Sequence, residues 1–590
     1  MLDIQHTYAD VATRTIQVWA PDATTIEIDV QGSRMPLQRG CEDWWSVDVP
    51  GFVHGSRYGF IVNGCERVLP DPRSGWQPDG VHGYSAFVDH SSFEWTDQHW
   101  QARPLSSAVI YELHVGTFSP RGTFDGAIER LDHLVHLGVT HIELMPVAQF
   151  SGDWGWGYDG VDLYAPHSAY GEPDALKRLV NECHARGLAV ILDVVYNHLG
   201  PSGNYLSKFA PYHTSRYATP WGDAVNFDGP RSGGVRQFFI ENALMWLRDY
   251  HFDGLRVDAV HELVDNSACH FAEELTSAVR DLSVELGRYL VVIAESDLND
   301  PRVVRPQELG GYGMDAQWSD DFHHSLHVVL TGERSGYYAD FGAIEQLAKA
   351  LRNAYVYDGV YSEYRRRSHG RSPVGMDGHR FLGYIQNHDQ IGNRAAGDRI
   401  SHLVNPGRVK IAAALVFTAP FIPMIFQGEE WAASSHFRYF TQHEDAELAA
   451  AVSEGRRSEF ISFGWQPHDV PDPQDPETFH SSKLRWDEIN DPQHEDMLEW
   501  YRKLIELRRK SASLLNGKMS AAQVNCDEEA RWLTLRRGDI YVVSNFADRA
   551  QHIPGDRGEI LLASDSRAAV QDGSVWMPEE SVAVLQVRAL

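Results

Sequence analysis

The sequence predicts a central (β/α)8 barrel with a β-sandwich before it and a small antiparallel β domain after it. Three observations predict this. Between about residues 107 and 515, apolar strand-like runs alternate with helical periodicity, a pattern that produces parallel strands. Eight such runs can be counted, the number that closes a barrel. The 590 residues exceed one ordinary domain, and both ends of the chain carry short β-rich runs without helical pattern.

Residues 1–90 supply the sandwich. Thr15-Ile-Gln-Val-Trp19, Thr25-Ile-Glu-Ile-Asp-Val30, Trp44-Trp-Ser-Val-Asp-Val49 and Tyr58-Gly-Phe-Ile-Val62 alternate or are rich in β-formers, with Gly and Pro between them. Trp19, Trp44 and Trp45 are expected in its core, since large aromatics usually bury. Residues 91–106, with Trp95, Trp100 and Pro104, read as a packed linker.

The barrel, residues 107–515, takes its strands from 109–114, 141–147, 189–195, 254–260, 290–295, 313–318, 381–387 and 423–426. Ile128, Leu131, Leu134 and Leu137 run at helical spacing into Gly138, and Leu176, Leu179, Val180 and Cys183 end before Gly187. Long inserts are expected after strand three (200–234) and strand six (320–378). A helix over 497–507 precedes the last domain, residues 516–590. There Arg531-Trp-Leu-Thr-Leu535, a Gly538-Asp539 turn and Ile540-Tyr-Val-Val543 read as a hairpin.

Composition narrows the function. A net charge of -30 argues against nucleic-acid and anionic-membrane partners and suits neutral ligands. The 17 Trp, 24 Tyr and 25 Phe are mostly core, but flat aromatic faces also suit sugar rings. Five scattered cysteines (Cys41, Cys65, Cys183, Cys269, Cys526) lack metal-ligand spacing, and a reducing cytoplasm is expected. Met1-Leu-Asp-Ile-Gln-His6 has no signal-peptide pattern, and no stretch reaches the roughly 18 apolar residues of a membrane span. These features specify no oligomeric state.

In a barrel of this kind chemistry sits where strands end. Phe252-Asp-Gly-Leu-Arg-Val-Asp-Ala-Val-His261 places Arg256 and Asp258 on one face of a buried strand. A carboxylate there is costly unless paired or used. Strand three runs out through Asp193, Asn197 and His198, strand five through Glu295, and strand seven through His388, Asp389 and Gln390. Three carboxylates with an arginine, and neither a nucleophilic cysteine nor a phosphate loop, fit glycoside cleavage. One carboxylate attacks the anomeric carbon and another protonates the leaving oxygen.

In their order, these segments resemble the four short motifs of the α-amylase family of glycoside hydrolases. The resemblance implies that Asp258 is the nucleophile, Glu295 the general acid/base and Asp389 the transition-state-stabilising carboxylate. It implies sugar-binding and orienting roles for Asp193, His198, Arg256, His261, His388 and Gln390, and stacking of Tyr158 on the sugar beside the cut. Glu295 is then expected to titrate high, as an acid protonated beside two carboxylates. The N-terminal block resembles the carbohydrate-binding modules that precede branching, debranching and trehalose-releasing members.

Four further stretches resemble the trehalose-releasing branch of the family. They are 71–82, 315–324 with Leu330-Thr-Gly-Glu333, 386–394, and Phe426-Gln-Gly-Glu-Glu-Trp-Ala-Ala433 followed by Glu454-Gly-Arg-Arg457. The resemblance implies maltooligosyl trehalose, a neutral oligosaccharide, as substrate and trehalose as product. Trp318, Asp320, Asp321, His323 and His324 are expected to meet the leaving trehalose from the strand-six insert. A branching or debranching enzyme shares the same carboxylates, and an inactive carbohydrate-binding barrel shares the same fold; both stay open at this point.

Two other signals carry less. Gly155-Trp-Gly-Tyr-Asp-Gly160 has spaced glycines but no following helix, so no dinucleotide is expected. Asp320, Asp321, His323 and His324 have metal-ligand chemistry, but adjacent residues rarely share one tetrahedral site. Neither a metal nor a cofactor is expected.

Overall fold

The computed structural model describes residues 13–461, 466 and 470–588; the N-terminal hexapeptide read above for a signal lies outside them. Eight parallel strands close a barrel. In chain order they are Ile110–Leu113, His141–Leu144, Ala189–Val194, Gly254–Val257, Val291–Ala294, Ala316–Trp318, Phe381–Gly383 and Ile422–Phe426. Strand eight pairs with strand one through Met424 and Ile110, which seals the ring. Seven of the eight are shorter than the apolar runs read from the sequence, and the eighth begins one residue before its run.

Helices pack outside as the periodicity predicts. Leu131–Leu137 buries Leu131, Leu134 and Leu137 and stops at Gly138, whose φ of 98° is a left-handed cap. Pro173–Ala185 buries Leu176, Leu179, Val180 and Cys183. After strand three the chain forms a hairpin, His213–Thr219 with Gly222–Val225, before the helix Ser232–Asp249.

The segment after strand six, read from the sequence only as a long insert, begins as a helix. Asp320–Thr331 is a helix packed in the barrel's regular sequence, followed by Ile344–Asn353 and a small hairpin at Tyr361–Ser362 and Arg367–Ser368. Buried Phe322, Leu326, Val329 and Leu330 supply the apolar stripe that stabilises it. This change of local structure decides which of its polar residues reach the cleft.

Before the barrel, one sheet joins Thr13–Trp19, Trp44–Pro50 and Gln38–Arg39, and another joins Ser33–Pro36, Ile26–Val30, Arg57–Val62 and Ser85–Ala86. Trp19 and Trp45 are buried, whereas half-buried Trp44 lies under the Arg73 guanidinium, 5.2 Å away. After the barrel, the helix Pro492–Lys510 leads to a five-stranded antiparallel sheet and a three-stranded one. Trp532–Arg537 and Ile540–Asn545 form the expected hairpin, turning at Gly538 with φ 57°. No helix among the described residues is long and apolar enough to cross a membrane.

Candidate active site

The site is assembled on one buried guanidinium. Arg256 is the register partner of Asp193 on strand three. Its Nη1 donates to Asp193 Oδ2 at 2.6 Å and to Asp258 Oδ1 at 2.9 Å. Its Nη2 lies 3.0 Å from Glu295 Oε2 in an ion pair. Its guanidinium carbon sits 4.2 Å from the centroid of the Trp318 ring. One side chain thus joins the ends of strands three, four, five and six. A cation taken wholly out of water needs such partners, and three carboxylates gathered in one place need such a cation.

Directly after Asp258, Ala259 adopts φ 38° and ψ 55°, a left-handed conformation that costs a residue with a Cβ of order 1 kcal/mol. The strained turn has a local consequence. It aims the Ala259 N–H at Glu295 Oε2, 2.8 Å away.

Electrostatics correct one expectation. Burial and the neighbouring Glu295 charge push the Asp258 carboxyl well above its ordinary value. Burial also raises Asp389, despite the opposing charge of His388. Glu295 goes the other way. Burial pushes it up, but Arg256 and the Ala259 N–H outweigh burial and hold it below the usual carboxylate range. Glu295 is therefore the low-titrating carboxyl of the pair, not the high-titrating one. The cause is that its two contacts are both donors to the charged form.

On the opposite side, the Tyr158 hydroxyl donates to Asp193 Oδ2 at 2.6 Å and lies 2.8 Å from His388 Nε2. The Tyr158 and His388 rings stack at 5.1 Å. The glycines before Tyr158 now have a reason. Gly157 has φ 100°, and a Cβ there would lie 2.2 Å from the Pro146 carbonyl oxygen, so only glycine lets this loop pass the end of strand two. His198 Nε2 bonds the Tyr158 carbonyl at 2.9 Å, and the His198 ring is face-stacked on Trp221 at 4.5 Å. His261 lies beyond Ala259, 3.8 Å from Asp297 Oδ1.

Glu112, on strand one, is a residue that motif reading missed. Its Oε1 contacts His388 Nδ1 at 2.5 Å and its Oε2 accepts the His388 backbone N–H at 3.0 Å. Burial lowers His388, but Asp389 and Glu112 overcome it and push the imidazole up to about 9. A lone acid inside the apolar run 109–114 was the available signal.

A cavity of about 200 Å³ opens beside these groups. Glu295, Trp318, Asp320, His324, Tyr337, Asp389 and Gln390 are among the side chains that line it. Asp320 and His324 stand four residues apart on the strand-six helix and so share a face. Burial pushes Asp320 up to about 7, against a hydrogen bond from the Tyr384 hydroxyl. Asp321 and His323 turn elsewhere, contrary to expectation. Asp321 Oδ2 accepts from Asn299 Nδ2 at 2.8 Å and from the backbone N–H groups of Val356 and Tyr357 at 2.7 and 2.8 Å. His323 bonds the Tyr338 hydroxyl at 3.0 Å and is buried. The four residues do not converge on a common point. The group with metal-ligand spacing among the described residues is elsewhere, at Asp398, His402 and His436. There His402 Nδ1 already accepts the Arg399 N–H at 3.2 Å, and Arg399 adds its charge, so it fits a cation poorly.

Known proteins resemble this chain in sequence and in fold. The alpha amylase catalytic domain model matches residues 85–221, and a domain of unknown function, DUF3459, matches 519–584. A solved chain from Salmonella typhimurium has a TM-score of 0.90 at 36% identity, covering 97% of this chain and 98% of its own. A malto-oligosyltrehalose trehalohydrolase from Rhizobium sp. (strain M-11) is 47% identical over 579 residues, 96% of this chain and 97% of that one. The chain belongs to the malto-oligosyltrehalose trehalohydrolase family. A trehalohydrolase from Mycobacterium tuberculosis (strain CDC 1551 / Oshkosh) is 46% identical, covering 97% of this chain and 98% of its own. By contrast, a 1,4-alpha-glucan branching enzyme from Pseudoalteromonas atlantica is 30% identical across 54% of the chain. Trehalohydrolase kinship therefore spans all three parts of the molecule, whereas likeness to that branching enzyme covers little more than half.

Proposed function

We propose that this chain is a retaining glycosidase that cuts the α-1,4 bond next to the terminal α,α-trehalose of maltooligosyl trehalose, releasing trehalose and a maltooligosaccharide. The observation that carries this reading is the gathering of Asp258 and Glu295 on the two Nη atoms of one buried guanidinium, with Asp389 on the wall of the same cavity as Glu295. Trehalohydrolase relatives matching 96–97% of the chain support this choice of substrate.

In this reading Asp258 attacks the anomeric carbon while Glu295 protonates the departing oxygen, and Glu295 then takes a proton from the water that frees the sugar. Asp389 and the His388 cation hold the distorted ring. Tyr158 stacks on the sugar and Asp193 fixes Arg256. The same reading gives His198 and His261 sugar-binding roles, and Gln390 one from the cavity wall. Arg256 and the Ala259 N–H hold Glu295 low while burial holds Asp258 high, so the proton that Glu295 delivers comes from the pair that the two carboxyls form. Asp320, His324 and Trp318 face the leaving trehalose. A cytoplasmic location belongs to the same reading, since all five cysteines are unbridged.

The deciding experiment is a product profile. Maltooligosyl trehalose incubated with the protein should yield free trehalose and an oligosaccharide with an α-configured reducing end. Preference over a maltooligosaccharide of equal length should be roughly 100-fold or more, as for sites that read hydroxyls. Equal rates on the two, or α-1,6 branches among the products, would replace this reading with an amylase or a branching enzyme.

A further inference from the structure

Glu333 and Arg394 lie outside the catalytic constellation, yet they join two walls of the cleft. Glu333 follows the C-terminal cap of the strand-six helix, Asp320–Thr331. Its Oε2 accepts from Arg394 Nη1 at 2.7 Å and contacts His327 Nε2 at 2.9 Å. Arg394 stands five residues after Asp389, at the end of the short helix His388–Gly392 that carries that carboxylate. Between them, Asn393 Nδ2 donates to Asp389 Oδ1 at 3.1 Å. A second tie runs parallel. Gln390 Oε1 accepts from the Tyr338 hydroxyl at 3.2 Å and the Tyr337 hydroxyl at 3.4 Å. His327 backs the arrangement by stacking on Tyr338 at 4.4 Å. The Arg394, Glu333 and His327 side chains are 11%, 25% and 5% exposed, so the contact is screened less than a surface pair.

We infer that the Glu333–Arg394 pair is a positioning latch that sets which leaving group the site accepts. The pair fixes the segment from Glu333 to Tyr338 against the Asp389 loop. Tyr337 is thereby held on the wall of the cavity that Trp318 and His324 also line, and it meets the His324 ring at 5.0 Å. A bent disaccharide joined through both anomeric carbons and a linear maltosyl unit differ in shape more than in chemistry. A wall that can move selects weakly between them, whereas a fixed wall leaves the wrong sugar's hydroxyls unpaired. The ion pair touches no substrate itself. Its effect passes through Tyr337 on one side and the Asp389 loop on the other.

This inference rests on the substrate reading above, and the test separates the two. Wild-type protein is first assayed on maltooligosyl trehalose and on the equal-length maltooligosaccharide. Absence of a preference there refutes the substrate reading, and the latch with it. Given the preference, Glu333→Gln, Arg394→Gln and the double variant are compared, each checked for an intact melting transition. Each single variant should lower the preference by about tenfold or more, a magnitude that small misplacements reach. The double variant should lose no more than the worse single, because the two residues act as one unit. Rates on an α-maltosyl fluoride, whose leaving group has no sugar to position, should change by less than about twofold in Glu333→Gln. Equal losses on all three substrates would reduce the pair to general support. An unchanged preference, or additive losses in the double variant, would likewise overturn the latch. If Arg394→Gln fails to fold, Arg394→Lys with Glu333→Gln supplies the same comparison.

Discussion

Arg256 holds Glu295 ionised: Nη2 of the one lies 3.0 Å from Oε2 of the other, deep in the barrel mouth. The same guanidinium reaches Asp258 through Nη1 at 2.9 Å. The two carboxyls therefore compete for one cation, and their protons belong to the pair rather than to either residue.

The rate should follow pH as a bell whose limbs report that pair. At low pH a second proton occupies the pair and Asp258 cannot attack; at high pH the shared proton is lost and nothing protonates the leaving oxygen. In Glu295→Gln the acid is gone, and an α-maltosyl fluoride needs none. Its burst of glycosylation should then rise with pH as Asp258 ionises and stay high on the alkaline side. A burst that still declines at the wild-type alkaline position would remove Glu295 from the role.

Asp258→Asn should abolish turnover, by about 1000-fold or more, while substrate still binds. It should also stabilise the protein. The folded pKa of Asp258 is raised by burial and by Glu295, so its contribution to stability is complete below the unfolded value of about 3.9 and is lost as pH climbs toward the folded value. At neutral pH the carboxyl is a net cost that asparagine removes. A melting temperature higher by roughly 1–3 °C at pH 7, with little change at pH 4, is the expected result. A lower melting temperature at pH 7 would contradict the charge-crowding account.

Neighbouring residues of the strand-six helix should respond oppositely. Asp320→Ala and His324→Ala, which face the cavity, should cut the preference for maltooligosyl trehalose by about tenfold. Asp321→Ala leaves two backbone N–H groups and an amide without their acceptor. It should cost about 2–4 kcal/mol of stability, read by denaturant unfolding, and spare the preference. The reverse pattern would show that the helix face has been misassigned.

Glu112→Gln should act through His388. Asp389 and Glu112 together hold that imidazole at about 9, so it is charged throughout the neutral range. Losing the Glu112 charge lowers its pKa, and the cation beside Asp389 then disappears at lower pH. Activity near pH 5–6 should be largely kept, while kcat/KM should show an added alkaline loss as His388 gives up its proton about one pH unit lower than in the wild type. A uniform loss at every pH would mark Glu112 as a packing residue only.

The sequence by itself determined the barrel, its order of strands and the convergence of Arg256, Asp258, Glu295 and Asp389. Each follows from a local rule: apolar runs alternating with helical stripes, and polar residues placed at strand ends. What only the tertiary structure decided was direction and charge. Asp320 and Asp321 are adjacent letters, but a helix turns each residue by about a quarter of a circle or more, so one faces the cavity and the other caps the backbone at Val356. Glu112 and Glu333 act on residues 276 and 61 positions away, contacts no local pattern specifies. The proton on the catalytic pair is settled in the same way. It depends on how far Arg256 and the Ala259 N–H lie from each carboxylate, distances that exist only after the strands have closed the barrel.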